Sequence, residues 1–216
     1  MRKSATAILA AFIFISVAAI PARAEIIDRI AAVVEQEVIT LSEVNQIINL
    51  RVIPKNADED EATYHRRVLD AMIAQLLRFR DVERFGAQDV SKDAIEARLQ
   101  QVIQRFPSQA AFEETLSKME LSLDELKAIL KRQLQVEAYI EERFSPTIFV
   151  SLDEIERYYT DTWVPMRKRQ GLPVQPLGDV REAIRDLLKQ QRLQQEVDRW
   201  TKQLRSHANV DVFVYR

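Results

Sequence analysis

Apolar positions recur with a helical period along most of this chain, and the pattern changes only towards its two ends. Residues 26–40 (IIDRIAAVVEQEVIT) and residues 209–215 (NVDVFVY) are β-patterned and rich in β-branched side chains. A lone hairpin is marginal in water and needs a third strand or a helix beside it. The terminal strand is the obvious partner. We therefore expect one small antiparallel sheet that joins the two ends of the chain, with helices between them.

The helices can be placed one by one. Thr40-x-x-Glu43 is a capping-box pattern opening a helix through about Leu50. Pro54 and the acidic stretch from Asp58 to Glu61 end it and start a second, about 60–85, with Val68, Met72, Leu76 and Phe79 as one stripe and Leu69, Ile73 and Leu77 beside it. Gly86 sits where a left-handed cap belongs. Ser91 starts a third helix carrying Ile95, Leu99, Val102 and Phe106, which Pro107 stops. A short helix over 109–118 follows. Ser122-x-x-Glu125 opens a helix to about Arg143, ended by Ser145-Pro146, and Ser151-x-x-Glu154 opens another to about Thr160. Residues 163–178 (WVPMRKRQGLPVQPLG) hold Pro165, Pro173, Pro176, Gly171 and Gly178, so a loop with no helix crossing it is expected there. A long helix over about 179–206 then leads to the terminal strand.

Composition adds compartment and charge. Residues 1–24 have a positive start, Arg2 and Lys3, then an apolar run from Ala5 to Ile20, then Ala22-Arg23-Ala24 as a cleavage pattern. The alternative is an uncleaved anchor, but the run is shorter than the roughly 20 residues that span a bilayer core. Cleavage after Ala24 would leave an exported chain without a transmembrane segment. Loss of Arg2, Lys3 and Arg23 takes the net charge from −2 to −5. An acidic balance argues against a general nucleic-acid binder, which needs a basic field. The chain has no cysteine, so stability rests on its core rather than on disulfides.

With these elements in order, residues 26–44 (IIDRIAAVVEQEVITLSEV) resemble the opening of the SurA family of periplasmic chaperones. Residues 121–159 (from LSLDELKAILKRQ to VSLDEIERYY) are similar to the later helices of that family's N-terminal domain. Residues 180–215 resemble its C-terminal helix, which folds back onto the N-terminal domain. The turn before residue 121 often carries a glycine in the family; this chain has Glu120. Relatives place one or two parvulin-type isomerase domains between the Tyr158-Tyr159 helix and the last helix. Each takes roughly 100 residues, and only 163–178 fill that gap here. The resemblance implies a mainly α fold: a signal at 1–24, a helical chaperone core with its hairpin at 25–162, a Pro/Gly loop at 163–178 in place of the isomerase, and a C-terminal helix and strand at 179–216 completing the same domain.

Chemistry has little support in the residues. His65 and His207 lie on separate helices; two separated histidines without cysteine specify neither a metal site nor a parvulin pair, and His207 suits a helix C-terminus. The carboxylates cluster in helical runs such as Glu141-Glu142 that read as solvated faces. No G-x-S-x-G, P-loop or H-E-x-x-H occurs. A non-enzymatic protein without cofactor is expected. Phe106, Phe112, Leu116 and Met119 are candidates for an adaptable peptide-binding surface; ordinary core is the alternative for all four. Arg167-Lys168-Arg169 reads as a solvated basic cluster, or as one attracted to anionic headgroups. Trp163 and Trp200 read as packing residues, Trp163 alternatively as a loop anchor. The resemblance implies an ATP-independent periplasmic chaperone that holds unfolded outer-membrane proteins and hands them to the outer-membrane assembly machinery. A dedicated subunit of an envelope complex is the alternative, and a residual prolyl isomerase the third.

Overall fold

The structure, a computed structural model, describes residues 28–86 and 88–215. The signal-like segment, and Ile26 and Ile27 of the hairpin stretch, lie outside the described residues. Strands β1 (Ile30–Val34), β2 (Glu37–Thr40) and β3 (Val210–Val212) form one sheet in the order β2-β1-β3. Both pairings are antiparallel, with Val33 opposite Val38 on one side and Asp211 on the other. The expected closure of the chain by its terminal strand is therefore present. A two-residue turn, Glu35-Gln36, links β1 to β2. Glu35 takes a positive φ of 57°, a conformation in which an L side chain is strained. Two contacts hold it there. Its N–H donates to the Asn209 carbonyl at 2.8 Å, and its carboxylate accepts the Asn209 N–H at 2.9 Å. The hairpin tip and the approach to β3 thus fix each other.

Helices fill the rest: α1 (Leu41–Asn49), α2 (Glu61–Phe85), α3 (Lys92–Ile103), α4 (Gln109–Lys118), α5 (Leu123–Phe144), α6 (Leu152–Tyr158), α7 (Val164–Arg169) and α8 (Leu177–His207). All three capping boxes form, with Thr40, Ser122 and Ser151 each exchanging bonds with the glutamate three residues on. At Gly86 the φ of 96° is positive, but the ψ of 98° is not left-handed helix. The glycine turns the chain out of α2 in a conformation other than the left-handed cap expected of it.

The largest correction concerns residues 163–178. They are not a loop throughout. The helix begun at Ser151 continues past Thr160 through a wide π turn, Tyr159–Trp163, into α7. Proline inside an α-helix clashes with the carbonyl four residues back. Here the Val164 N–H bonds to the Tyr159 carbonyl instead, five residues back, just before Pro165. The π turn absorbs the proline that should have ended the helix. Only residues 170–176 are loop, and α8 starts at Leu177.

Among the described residues four apolar clusters hold the fold together. One packs Ala32, Val34 and Ile39 of the sheet on Val44, Ile47, Val68, Leu69 and Ile73 of α1 and α2. A second joins α3, α4 and α5 through Leu99, Val102, Phe112, Leu116, Leu126 and Leu130. A third sets Trp200 of α8 against Val82, Val136 and Tyr139, where the Trp200 indole N–H also donates to Asp81 at 3.1 Å. The fourth pairs Ile155 of α6 with Val180 and Ile184 of α8. At 1.5 Å per residue the 31 residues of α8 span about 46 Å. Its C-terminal half packs on α2 and its N-terminal half on α6, so it serves as the spine between those clusters.

Candidate peptide-binding groove

The four candidate residues come together in the α3–α4–α5 cluster. Leu116, in the last turn of α4, is 8 % exposed, and Phe112, one turn earlier, 1 %. Both sit on the apolar face that the α4 periodicity defines. Phe106 meets Phe112 edge-on at 5.5 Å between centroids, and the Arg51 guanidinium covers the Phe106 ring at 5.6 Å. Arg51 and Arg105 brace that corner by donating to each other's backbone carbonyls, at 3.1 and 2.6 Å. Met119 is half-buried on the same cluster, and its carbonyl accepts from Gln46 at 3.4 Å. Phe112 and Leu116 are thus core side chains first; Phe106 and Met119 are half covered.

Part of this cluster still opens outward. A groove of about 210 Å³ runs between α3 and α4, with Leu99, Ile103, Phe112, Leu116 and Leu123 as its apolar wall. That volume is below the roughly 300 Å³ of a small-molecule site and suits single apolar side chains. Glu96, Gln100, Gln109 and Glu113 form the polar rim. Lys127 holds the Glu96 carboxyl below the ordinary glutamate range by a hydrogen bond, and the ion pair measures 2.9 Å. The Ser122 hydroxyl and backbone do the same for Glu125 at the adjacent helix start. The rim is therefore charged and solvated around an apolar floor.

Leu99, Ile103 and Leu123 belong to this wall and were not among the candidates, while Phe106 and Met119 lie outside the groove lining. Leu123 is 42 % exposed. It is the first residue of α5, three residues before Leu126 and seven before Leu130 on the same apolar stripe, and a stripe position in the first turn beside the Ser122 cap is the signal that could have marked it. Phe149, 74 % exposed, and Leu152 form another outward apolar pair between α5 and α6. There the Phe149 carbonyl and the Glu154 carboxylate both accept from Arg192 of α8, so the segment is anchored while its side chains face out.

A second cleft, about 490 Å³, lies between α2 and the end of α8, lined by Arg80, Asp81, Arg84, Arg143, Trp200 and His207 among others. Its lining contains no serine, threonine or cysteine. His207 bonds the Gln203 carbonyl at 2.8 Å through Nδ1, while His65 lies 3.7 Å from Glu61 and edge-on to Tyr215. No group of three potential metal ligands occurs among the described residues, and no described helix is long and apolar enough to cross a membrane.

Comparison with known proteins gives two similar chains, each named Chaperone SurA. One, from Saccharophagus degradans, is 26 % identical over 137 residues, covering 61 % of this chain and 32 % of its own length. The other, from Chromobacterium violaceum, is 29 % identical over 164 residues, covering 73 % of this chain and 38 % of its own. No family model matches. Over the matched residues the chain is similar to these two proteins, and the matches take in well under half of either relative.

Proposed function

We propose that this chain is an ATP-independent holdase of the periplasm that binds unfolded outer-membrane proteins without covalent chemistry. The observation that carries the reading is the apolar groove between α3 and α4, rimmed by charge, in a chain similar to proteins named as chaperones. An unfolded β-barrel precursor presents an apolar side chain at every second position. Shallow sites for single side chains bind such a chain weakly at each contact and with little sequence preference. The charged rim and the high surface charge keep the complex in solution. With no nucleotide to drive release, clients leave by transfer to a tighter acceptor, for which the outer-membrane assembly machinery is the natural candidate.

The test is a substitution at the open end of the groove. Leu123→Asp puts a charge on the apolar wall, yet an acidic residue in the first turn of α5 favours that helix, so folding should be preserved. We expect this variant to need several times more protein to suppress aggregation of two unrelated unfolded barrels, with an unchanged urea midpoint. Undiminished protection would remove the groove from the reading. Capture of one folded partner from envelope extract, insensitive to unfolded-barrel competitor, would favour a dedicated subunit instead.

A further inference from the structure

We propose that the turn formed by α7 and the loop after it is a docking tip for an anionic membrane surface. Arg167, Lys168 and Arg169 are consecutive here, and no acidic residue occurs between Asp161 and Asp179. The whole chain carries a net charge of −2, so this is a local reversal of sign. Beside the three cations stand Leu172, 42 % exposed, and Val174, 38 % exposed.

The tip is ordered. Gly171 takes a φ of 67° and closes α7 through two bonds, Gly171 N–H to the Lys168 carbonyl and Leu172 N–H to the Arg167 carbonyl, at 3.1 and 2.9 Å. Arg167 donates from Nε to the Pro173 carbonyl at 3.1 Å while its guanidinium lies 5.8 Å from the centre of the Trp163 ring. The Tyr159 hydroxyl donates to the Gln175 carbonyl at 2.8 Å. These contacts hold the loop against the end of the α6–α7 rod and leave the Lys168 ammonium with no protein partner among the described residues. Arg169 has one long bond, 3.4 Å, to the Pro165 carbonyl.

Cations spread over one helical turn point in several directions. That geometry is poor for pairing with fixed carboxylates on a folded acidic partner. A fluid sheet of negative headgroups accommodates it, and the adjacent leucine and valine can enter the headgroup boundary. Each basic residue near an anionic surface is worth roughly fivefold in partitioning, so three give on the order of a hundredfold. The tip lies on α7 and the loop after it, apart from the groove between α3 and α4.

The experiment is vesicle flotation of the purified protein, its N-terminus defined by mass, on pure phosphatidylcholine and on phosphatidylcholine containing phosphatidylglycerol. We expect on the order of a hundredfold preference for the anionic vesicles, lost at 0.5 M salt as the Debye length shortens. Lys168→Gln with Arg169→Gln leaves the Arg167 contacts intact and should cost more than tenfold. Leu172→Ser with Val174→Ser should cost several-fold at low salt. Both variants should still suppress client aggregation, which separates this test from that of the groove. Equal binding to neutral and anionic vesicles, an unaffected double-cation variant, or complete displacement by an equimolar acidic polypeptide would overturn the proposal.

Discussion

Glu120 should stabilise the protein when replaced by glycine. Three features of the structure set the size of the effect. The α4 helix ends in a closed motif in which the Leu121 N–H bonds the Leu116 carbonyl at 3.1 Å and the Glu120 N–H bonds the Ser117 carbonyl at 3.2 Å. Leu121 and Leu116 pack together in the core behind it. The motif requires a left-handed residue at position 120, and Glu120 adopts φ of 51°. An L side chain there costs about 1–2 kcal/mol. The glutamate is exposed and its carboxylate makes no bond or ion pair among the described residues, so nothing is lost with it. Against this, glycine raises the entropy of the unfolded chain by about 0.4–1 kcal/mol. The net expectation for Glu120→Gly is a gain of about 0.5–1 kcal/mol, or roughly 1–4 °C in Tm for a chain of this size. Urea titration followed by circular dichroism reads it directly, as a higher midpoint at constant slope. Glu120→Ala is the control, because it removes the carboxylate without relieving the backbone and should stay within about 0.5 kcal/mol of the parent. A destabilised glycine variant, or an alanine variant that gains as much, would refute the reasoning.

Phe112→Ala, which empties a fully buried site between α3, α4 and α5, should cost about 3–5 kcal/mol; a variant of parental stability that loses only client protection would instead make Phe112 a contact residue. Stability should also fall in acid. Glu96, Glu114, Glu125 and Glu154 are held below the ordinary glutamate range, by hydrogen bonds from Lys127, Lys118, Ser122 and Ser151 respectively. A depressed folded value means that the stabilisation is present above the unfolded value and is lost as pH drops through the folded one. The urea midpoint should therefore be level from pH 7 to about 5 and decline below about 4.3, the ordinary value of glutamate; a midpoint constant down to pH 3 would contradict it.

Much of this architecture was legible residue by residue. The three capping boxes are local devices in which a side chain reaches a backbone group three residues away, so Thr40, Ser122 and Ser151 announce helix starts without reference to anything distant. The apolar stripe of α2 predicts its buried face because helical geometry alone puts Val68, Leu69, Ile73 and Leu77 on one side. Even the closure of the sheet followed from local pattern, since a hairpin and a distant β-patterned tail have few other partners in a helical chain. Three matters were decided only in the folded molecule. Pro165 reads as a helix stop, but the packing of Tyr158, Tyr159 and Trp163 against α8 accompanies a helix that widens into a π turn and passes it. Phe112 and Leu116 have the same residue types whether they face a client or a core, and only the approach of α3 and α5 covers them. Leu123 and Phe149 look like ordinary apolar residues in sequence, and their exposure follows from how the described elements pack around them. Local hydrogen bonding and periodicity act over a few residues and can be read from a string. Burial depends on which segments, far apart in the chain, come to lie within a few ångströms of each other.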